Sequence, residues 1–387
     1  MENGSNVEEN SYFWKDGLKI LEPTSEPDYS KPLHIDLFSG CGGFACGFEE
    51  AGFQTLIAND IHPQSLKSLT FNINGSFGIL GDVKKVQEKN IKKILGNKKV
   101  SVITAGVPCQ GFSLTNKKRF ADDPRNFLFK EFLRISEFIK PDAVILENVA
   151  GLVSTKDGFF KEAIQSEIEK IGYNVSFKLL NAYDYGVPQT RKRVFFVGVK
   201  KNKWLFPSPI EERFKTNAGQ AIIGDLPELK SNEEKTEYLG KAENSLQRYL
   251  RNKRKLLKNH KAPNHPDETI KKIASTVPGQ PMYEKFPQRI RLDSSKPSPT
   301  QVCGGIRPQF QFGHPTQPRG LSIRERARIQ TFKDNFVFFG GLCQERIQTG
   351  NAVPPLLSHI LAKQLRDLLS GKKIEGIQDS EQLLMEL

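Results

Sequence analysis

Short apolar runs alternate with longer amphipathic segments along the first half of the chain. Four apolar runs of strand length are LHIDLF (33–38), QTLIAND (54–60), VSVITAG (100–106) and AVILENV (143–149). Segments with helical periodicity stand between them, such as FLFKEFLRISEFIK at 127–140. Strands joined by helices of this length indicate a mostly parallel sheet that is covered on both faces. The pattern therefore predicts an α/β fold with a doubly wound domain.

The alternation stops near residue 200, where proline, glycine and lysine become frequent, and helical patterns return at 324–332 and 355–369. The first 31 residues have little periodicity and contain several proline, serine and glutamate residues. The predicted parts are a flexible N-terminal arm (1–31), a main domain (32–200 plus 319–387) and a smaller domain (201–318) inserted before the C-terminal helices.

The basic charge of the chain is concentrated in the inserted segment. The whole sequence has 57 Lys plus Arg against 44 Asp plus Glu, which gives a net charge of +13. Residues 200–318 contain 22 of the basic and 12 of the acidic residues, so this segment alone carries +10. A basic segment of this kind favours a polyanionic partner.

Several classes of protein do not fit the composition. The five cysteines are an odd number and widely scattered, with no CxxC pair and no histidine cluster, so we expect neither a disulfide framework nor a metal site. No run approaches the roughly eighteen apolar residues of a membrane span. The first residues, MENGSNVEEN, lack the basic and then apolar pattern of a secretory signal. We therefore expect a cytoplasmic protein.

A glycine-rich loop, SGCGGF (39–44), follows the first predicted strand and precedes a helix. Asp60 ends the next strand, where its carboxylate is suited to accept from ribose hydroxyls. Asp82, in GDV (81–83), is suited to accept from an adenine amino group. This layout fits NAD, a nucleotide or S-adenosylmethionine equally well. The absence of GK[ST] excludes a phosphate-binding P-loop.

Cys109 and Glu147 are expected at the same edge of the sheet. Cys109 lies in AGVPCQGFS (105–113), directly after one predicted strand, and Glu147 lies in ENV (147–149), at the end of the next. An acid at the end of an apolar strand is costly unless it is paired or used. A thiolate can add to an electron-poor carbon while a neighbouring acid protonates a ring nitrogen. The pair therefore suits a nucleophile and an acid.

Seven motifs resemble, in the same order, those of DNA cytosine-5 methyltransferases. They are DLFSGCGGF (36–44), GDV (81–83), GVPCQGFS (106–113), ENV (147–149), QTRKRVFFVG (189–198), RGLSIRERARIQTF (319–332) and GNAVP (350–354). The resemblance spans residues 33 to about 369. It implies a Rossmann-like, S-adenosylmethionine-dependent methyltransferase domain, with the basic insert as a target-recognition domain.

The resemblance also implies a mechanism. Cys109 would add to C6 of a cytosine that is flipped out of the duplex, and Glu147 would bind the N3 edge of that base. The C5 atom would then take a methyl group and lose its proton as the cysteine is eliminated. Arg191 and Arg193 match positions that brace the flipped base and the catalytic loop. Residues 113–126 resemble the family's loop that closes over DNA.

The resemblance further implies that S-adenosylmethionine binds and leaves as S-adenosylhomocysteine. The matching cofactor positions are Phe38, Gly40, Gly42, Asp60, Ile61, Asp82, Pro108, Asn351 and Val353. Three positions depart from the family pattern. The family often has glutamate in place of Asp60 and sometimes an aromatic residue in place of Ile61, which would weaken adenine stacking here. It usually has proline in place of Lys333.

The stretch at 286–315 corresponds to the family's target-recognition region. Arginine and glutamine read guanine and adenine edges bidentately. The candidate base-reading residues are Arg289, Arg291, Gln301, Arg307, Gln309 and Gln311. Thr300 matches a position expected to contact the DNA backbone. The basic segment QRYLRNKRKLLKNHK (247–261) is expected to meet phosphates, which orients DNA without reading its sequence.

The leading interpretation is a sequence-specific DNA cytosine-5 methyltransferase of a bacterial or archaeal restriction-modification system. We expect a monomer that acts on double-stranded DNA, with a cognate restriction endonuclease acting on the same site without direct contact. One alternative is an RNA cytosine-5 methyltransferase on the same scaffold. A catalytically silent DNA-binding partner and an NAD-dependent oxidoreductase are the other two.

Overall fold

The computed structural model describes residues 11–13, 17–108, 127–154, 159–210, 220–238, 240–251, 256–303 and 311–372. Cys109, the segment 113–126, Arg307 and Gln309 lie outside the described residues. The strands are β1 (Ser11–Phe13), β2 (Lys19–Leu21), β3 (Leu33–Leu37), β4 (Gln54–Asp60), β5 (Phe77–Leu80), β6 (Val100–Gly106), β7 (Ala143–Val149), β8 (Asn174–Asn181), β9 (Gln189–Thr190), β10 (Lys192–Val199) and β11 (Ser298–Pro299).

Helices occupy most of the intervening chain. They are α1 (Gly43–Glu50), α2 (Pro63–Asn72), α3 (Glu88–Leu95), α4 (Phe127–Ile139), α5 (Gly151–Ser154), α6 (Phe159–Lys170), α7 (Gln220–Ile223), α8 (Ser245–Arg251), α9 (Asp267–Ser275), α10 (Ile323–Ile329), α11 (Leu342–Asn351) and α12 (Pro355–Leu369). Within the described part of the chain, no helix is both long and apolar enough to cross a membrane.

Nine of these strands form one sheet in the order β1-β2-β5-β4-β3-β6-β7-β10-β8. The five central strands, from β5 to β7, run parallel to one another. Strand β10 is antiparallel to both of its neighbours, and β2 is antiparallel to β5. The predicted mostly parallel sheet is confirmed, with antiparallel strands added at its two ends.

Helices cover both faces of the sheet, which confirms the doubly wound fold class. One face packs against α3, α4 and α6, with Phe132 and Ile168 fully buried. The other face packs against α1 and α12, with Phe48 and Leu361 fully buried. Each such side chain contributes about 1.5–3 kcal/mol through its removal from water. The central strands are rich in apolar residues because helices cover both faces of the sheet.

Part of the predicted flexible arm belongs to the sheet. Strand β2 pairs with β5, and Leu18, Ile20 and Leu21 are buried. The prediction of a flexible arm is therefore wrong for this stretch. The physical reason is that β5 would otherwise be an exposed edge with unpaired backbone groups, which β2 covers.

The insert has a core of its own that is joined to α10. Ile222, Leu250, Leu292 and Phe312 of the insert pack with Leu321 and Ile329. The last of these residues lies in α10, within the predicted main domain. The domain limits themselves stay a prediction.

Buried arginines attach α10 to the segments around it. Arg328 is fully buried and forms ion pairs with Asp225 of the insert and with Asp334. Arg319 binds both carboxylate oxygens of Glu325, at 2.9 and 2.6 Å. Buried charges are tolerated only when they are paired and hydrogen-bonded in this way. The motif at 319–332 is therefore largely a structural junction between the insert and the sheet domain.

Candidate active site

The carboxyl ends of the central strands bring the predicted site residues to one edge of the sheet. Leu37 at the end of β3 is aligned with Asn59 of β4 and with Ala105 of β6. Gly106 of β6 is aligned with Glu147 of β7. The glycine loop, Asp60, Pro108 and Glu147 therefore meet where ligands bind in open α/β sheets. Pro108 is the last described residue before Cys109.

Glu147 is buried and paired with an arginine. Its side chain projects from β7, and Nε of Arg193 on β10 lies 3.0 Å from Oε1 of Glu147. The two residues lie diagonally across neighbouring strands, since Phe195 is the direct partner of Glu147. Burial raises the pKa of Glu147, while Arg193 and then Arg191 act to lower that pKa. The site therefore holds a carboxyl group that can carry a proton beside a fixed positive charge.

The glycine loop is fixed to β4 through Asp60. The backbone N–H of Gly40 donates to Oδ2 of Asp60 at 2.7 Å, and the N–H of His62 donates to Oδ1 at 2.8 Å. Gly40 and Gly42 have φ angles of 55° and 94°, in the left-handed region that favours glycine. Each carboxylate oxygen has a second lone pair, so Asp60 keeps the capacity to accept from a ligand hydroxyl.

Ile61 and Asp82 lie next to Asp60. Ile61 exposes 62% of its surface, so its side chain is available to a ligand. Asp82 is the second residue after β5, whose last residue, Leu80, is aligned with Asp60. Its Oδ1 accepts from the backbone N–H of Lys84 at 3.0 Å and so caps the short 3-10 helix Val83–Lys85. The two acids that the sequence singled out thus share one edge of the sheet.

The segment 350–354 returns to the glycine loop from the C-terminal side. A Cβ atom placed on Gly43 would lie 2.2 Å from the carbonyl oxygen of Val353, so only glycine fits at the start of α1. Val353 is buried, and Asn351 is exposed. Phe38 has a φ angle of 53°, which is rare for a non-glycine residue. These contacts bring the predicted cofactor residues from distant parts of the sequence together.

Arg191 is held inside the protein by main-chain carbonyls. Its Nη1 donates to the carbonyl of Gln301 at 3.0 Å, and its Nη2 lies 3.5 Å from the carbonyl of Asn351. Its buried Nε–H has no hydrogen-bond partner among the described residues. Burial lowers the pKa of Arg191 to about 9, so the guanidinium remains charged at neutral pH. One donor of a rigid cation is thus left available near Glu147.

Comparison with known protein families decides the class of the protein. The chain matches the family model described as C-5 cytosine-specific DNA methylase over residues 34–367. The match covers the site, the insert and all of the sheet except β1, β2 and the first residue of β3. This chain belongs to that family.

Curated relatives of the methylase are similar over most of their length. A protein named Type II methyltransferase M1.HphI, from Haemophilus parahaemolyticus, is 36% identical over 343 residues, which cover 85% of each chain. Type II methyltransferase M.DdeI, from Desulfomicrobium norvegicum, is 35% identical and covers 86% of this chain and 88% of that protein.

Solved structures have the same fold. A prophage-encoded Escherichia coli protein, described as a candidate DNA modification methyltransferase, matches with a TM-score of 0.75 at 25% identity. The match covers 88% of this chain and 99% of that one. The Dnmt2 methyltransferase of S. pombe matches with a TM-score of 0.55 at 17% identity, which supports the fold alone.

Two of the predicted base-reading residues have structural contacts in the methylase. Gln301 is fully buried, and its Nε2 donates to Oγ of Ser298 at 2.8 Å. Arg291 donates from Nη1 to the carbonyls of Ile273 and Thr276, at the C-terminal end of α9. Both side chains are therefore engaged within the protein, and the base-reading role expected of Gln301 and Arg291 stays a prediction.

The other described candidates lie at the start of the recognition region. Oγ1 of Thr300 donates to the carbonyl of Thr190 at 2.8 Å, beside the parallel pair β9–β11. Gln311 bridges the carbonyl of Thr300 and the N–H of Val302, at 3.2 and 3.1 Å. Arg289 stacks over the ring of Phe286, with 4.3 Å between the guanidinium carbon and the ring centroid.

Sequence reasoning missed two buried glutamines near the site. Gln189 and Gln330 are both fully buried, and Nε2 of Gln189 donates to Oε1 of Gln330 at 3.0 Å. Gln189 stands in the QTRKR motif, where attention fell on the arginines, and Gln330 stands in a helix that looked ordinary. Their position inside two of the seven motifs was the only available signal.

Proposed function

We propose that this methylase transfers a methyl group to C5 of a cytosine that is flipped out of a short, specific sequence in double-stranded DNA. The observation that carries the proposal is the buried Glu147–Arg193 pair, with a distance of 3.0 Å between Nε and Oε1. Glu147 is aligned with Gly106 at the end of β6, and Pro108 and Cys109 follow Gly106 in the sequence. An acid of this kind is what a base with developing charge on N3 requires.

The residues of the site fit S-adenosylmethionine as the methyl donor. Asp60 and Asp82 offer carboxylates to a ribose and to an adenine amino group. A Cβ atom placed on Gly40 would meet nothing within 4 Å, so the glycine loop borders open space. Phe38, Gly42, Pro108, Asn351 and Val353 complete the proposed cofactor-binding set. S-adenosylmethionine, when bound, supplies the methyl group as an electrophile.

The proposed chemistry begins with addition of the Cys109 thiolate to C6, which forms an S–C6 bond. The electron pair of the C5–C6 double bond then moves toward N3, where Glu147 donates its proton. Loss of that proton back to Glu147 makes C5 nucleophilic. C5 then forms a bond to the methyl group as the S–CH3 bond of the donor breaks, which leaves S-adenosylhomocysteine. A base then removes the C5 proton, and the electron pair that is left expels the thiolate. Arg191 and Arg193 are proposed to fix the base and the carboxyl group during these steps.

The insert is proposed to bind the DNA. Among its basic residues, Arg248, Lys258 and Lys261 are exposed and suited to phosphate contacts. The proposed base-reading residues are Arg289, Arg291, Gln301, Arg307, Gln309 and Gln311, with Thr300 at the DNA backbone. Removing one phosphate contact should reduce the salt dependence of binding by about one unit of slope. Binding isotherms of Lys258→Gln and Lys261→Gln test this, with Lys170→Gln on α6 as the control.

The biological setting is proposed from the relatives. Since the similar proteins are named Type II methyltransferases, we propose a restriction-modification methylase that acts as a monomer in the bacterial or archaeal cytoplasm. A cognate restriction endonuclease would act on the same DNA sequence without direct contact.

The covalent step has a direct test. DNA with 5-fluorocytosine at the target position has no C5 proton to lose, so the enzyme should remain bound to it covalently. The complex should survive denaturing electrophoresis with the wild-type protein and be absent with Cys109→Ser. If the wild-type protein methylates DNA and yet forms no such complex, the addition–elimination scheme is wrong.

A further inference from the structure

A ring of hydrogen bonds encloses the guanidinium of Arg191. Gln189, Gln301, Gln330 and Thr349 are all fully buried. Gln189 and Gln330 contribute their side-chain amides to the ring, whereas Gln301 and Thr349 contribute main-chain groups. Gln189 lies in β9, Gln301 lies in the insert shortly after β11, Gln330 follows α10, and Thr349 lies in α11. Four separate parts of the chain therefore meet around one charged group.

The bonds run from one segment to the next. Arg191 Nη1 donates to the carbonyl of Gln301 at 3.0 Å, and the N–H of Gln301 donates to Oε1 of Gln189 at 2.6 Å. Nε2 of Gln189 donates to Oε1 of Gln330 at 3.0 Å. Nε2 of Gln330 donates to the carbonyl of Thr349 at 2.6 Å. Each amide thus uses one donor and one acceptor in the ring, with no conflict of direction.

The ring closes through the end of α11. Thr349 lies two residues before Asn351, whose carbonyl is 3.5 Å from Nη2 of Arg191. A Cβ atom placed on Gly350 would lie 2.3 Å from the backbone nitrogen of Cys303, so α11 packs directly on the segment of the insert that follows β11. Both carbonyls that face Arg191 are therefore held in place through the two glutamines.

The backbone at the end of α10 is strained. Thr331, the residue after Gln330, has a φ angle of 67°, which is an outlier for a β-branched residue. Its Oγ1 accepts from the N–H of Leu356 at 3.1 Å and so anchors the start of α12. Strain of this kind persists only where the surroundings impose it, and it concentrates at functional sites. Thr331 thus connects Gln330, a member of the ring, to the start of α12.

We propose that Gln330 is a positioning residue for methyl transfer. It touches no reacting atom, and it acts by fixing, through Gln189 and Thr349, the two carbonyls that orient Arg191. The inference rests on the proposed function, in which Arg191 braces the flipped cytosine. A displacement of about 1 Å in such a group can reduce the rate by about two orders of magnitude. Substitution of Gln330 is therefore expected to affect turnover more than binding.

The test compares two buried glutamines that differ in their relation to Arg191. Gln330→Met keeps the length of the side chain and removes both hydrogen bonds. Gln364→Met removes an equally buried amide on α12, which donates to the carbonyl of Leu205. In the full-length protein, Gln330→Met should lower kcat at least about ten-fold with KM for DNA nearly unchanged. Gln364→Met should lower the melting temperature with kcat unchanged.

A second measurement does not depend on activity. The Nε–H signal of Arg191 in an NMR spectrum, assigned by its loss in Arg191→Lys, should exchange slowly with solvent in the wild-type protein. That protection should be lost in Gln330→Met and retained in Gln364→Met. If Gln330→Met proves unstable, the double variant Gln189→Met/Gln330→Met can be used instead. It removes both amides together, so the amide of Gln189 is not left buried without its partner. The double variant should show the same loss of kcat and the same loss of Arg191 protection.

The outcomes separate the two proposals. Unchanged protection of Arg191 in Gln330→Met would overturn the positioning role, whatever the activity. The positioning role would also be overturned if Gln330→Met and Gln364→Met lost the same stability and the same fraction of kcat. Loss of Arg191 protection in Gln330→Met, combined with a wild-type protein that methylates no DNA, would show that Gln330 holds Arg191 in place and would contradict the proposed function.

Discussion

Arg193 and Glu147 are joined across neighbouring antiparallel strands, with Nε of the arginine 3.0 Å from Oε1 of the acid. Both side chains are mostly removed from solvent, at 17% and 10% exposure. The other carboxylate oxygen, Oε2 of Glu147, lies near Gly106. A Cβ atom placed on Gly106 would be 3.8 Å from this oxygen. One carboxylate oxygen is thus fixed by the protein and the other faces the end of β6, on the way to Cys109.

Glu147→Gln should lower the rate of methyl transfer by about two to four orders of magnitude, since an amide cannot donate the acid proton to N3. The amide oxygen can still accept from Arg193, so folding should be preserved. Single-turnover transfer of labelled methyl groups measures the effect. Glu49→Gln is the matched control, because this half-buried acid lies at the opposite edge, where Oε1 accepts from the N–H of Thr55. A comparable loss of activity in the control would contradict the role of Glu147.

Asp36 should make stability fall as pH rises. It is fully buried in β3, its Oδ1 accepts from Oγ1 of Thr104 at 2.7 Å, and burial raises its pKa to about 7. A raised pKa means that the stabilising contribution is complete below the unfolded value, near pH 4, and is lost as pH rises through about 7.

The side chain of the Asp36→Asn variant cannot ionise. Between about pH 4 and pH 7, the unfolding free energy of the wild-type protein should therefore fall relative to that of Asp36→Asn by about 1.4 kcal/mol for each pH unit. Urea unfolding at several pH values measures the difference. If the Asp36→Asn difference is independent of pH, the raised pKa is wrong.

Gly43→Ala should destabilise the protein and weaken binding of S-adenosylmethionine. The added Cβ would lie 2.2 Å from the carbonyl of Val353, so either α1 or the segment 350–354 must move. Overpacking of this kind costs about 1–3 kcal/mol. Thermal unfolding and calorimetric titration with the cofactor check both effects. Gly240→Ala, where nothing lies within 4 Å, should leave both values unchanged, and equal behaviour of the two variants would disprove the close contact.

Ile61→Trp should tighten binding of S-adenosylmethionine. Ile61 is exposed beside Asp60, and an aromatic ring at this position could stack on adenine for about 0.5–1.5 kcal/mol beyond its buried area. That gain corresponds to a Kd lowered about two- to ten-fold. Val277→Trp, at a position that is 65% exposed in the insert, is the control. Unchanged affinity in Ile61→Trp would remove this position from the adenine pocket.

The central sheet was predictable because its strands are buried on both faces and form short segments that are rich in apolar residues. Strands β4, β6 and β7 begin and end at the predicted residues. Strand β2 was not predicted, because three residues among prolines and serines carry no periodic signal. It forms only because the edge of β5 is there to be covered.

The site was predictable where a residue stands at the end of a strand, as Asp60 and Glu147 do. Roles that depend on long-range partners were not. The sequence did not predict that Arg291 donates to carbonyls at the end of α9, and its base-reading role stays a prediction. Likewise, nothing in the sequence pairs Arg328 with Asp225, which lies 103 residues away along the chain.

Base-resolution mapping of 5-methylcytosine tests the central claim most directly. DNA is taken from a host without cytosine methylation that expresses the full-length protein, and the Cys109→Ser variant is expressed beside it at the same level. We predict 5-methylcytosine at one short sequence motif with the wild-type protein and none with the variant. Soluble wild-type protein that binds S-adenosylmethionine and yet leaves the DNA unmethylated would contradict the account, as would equal methylation by the variant.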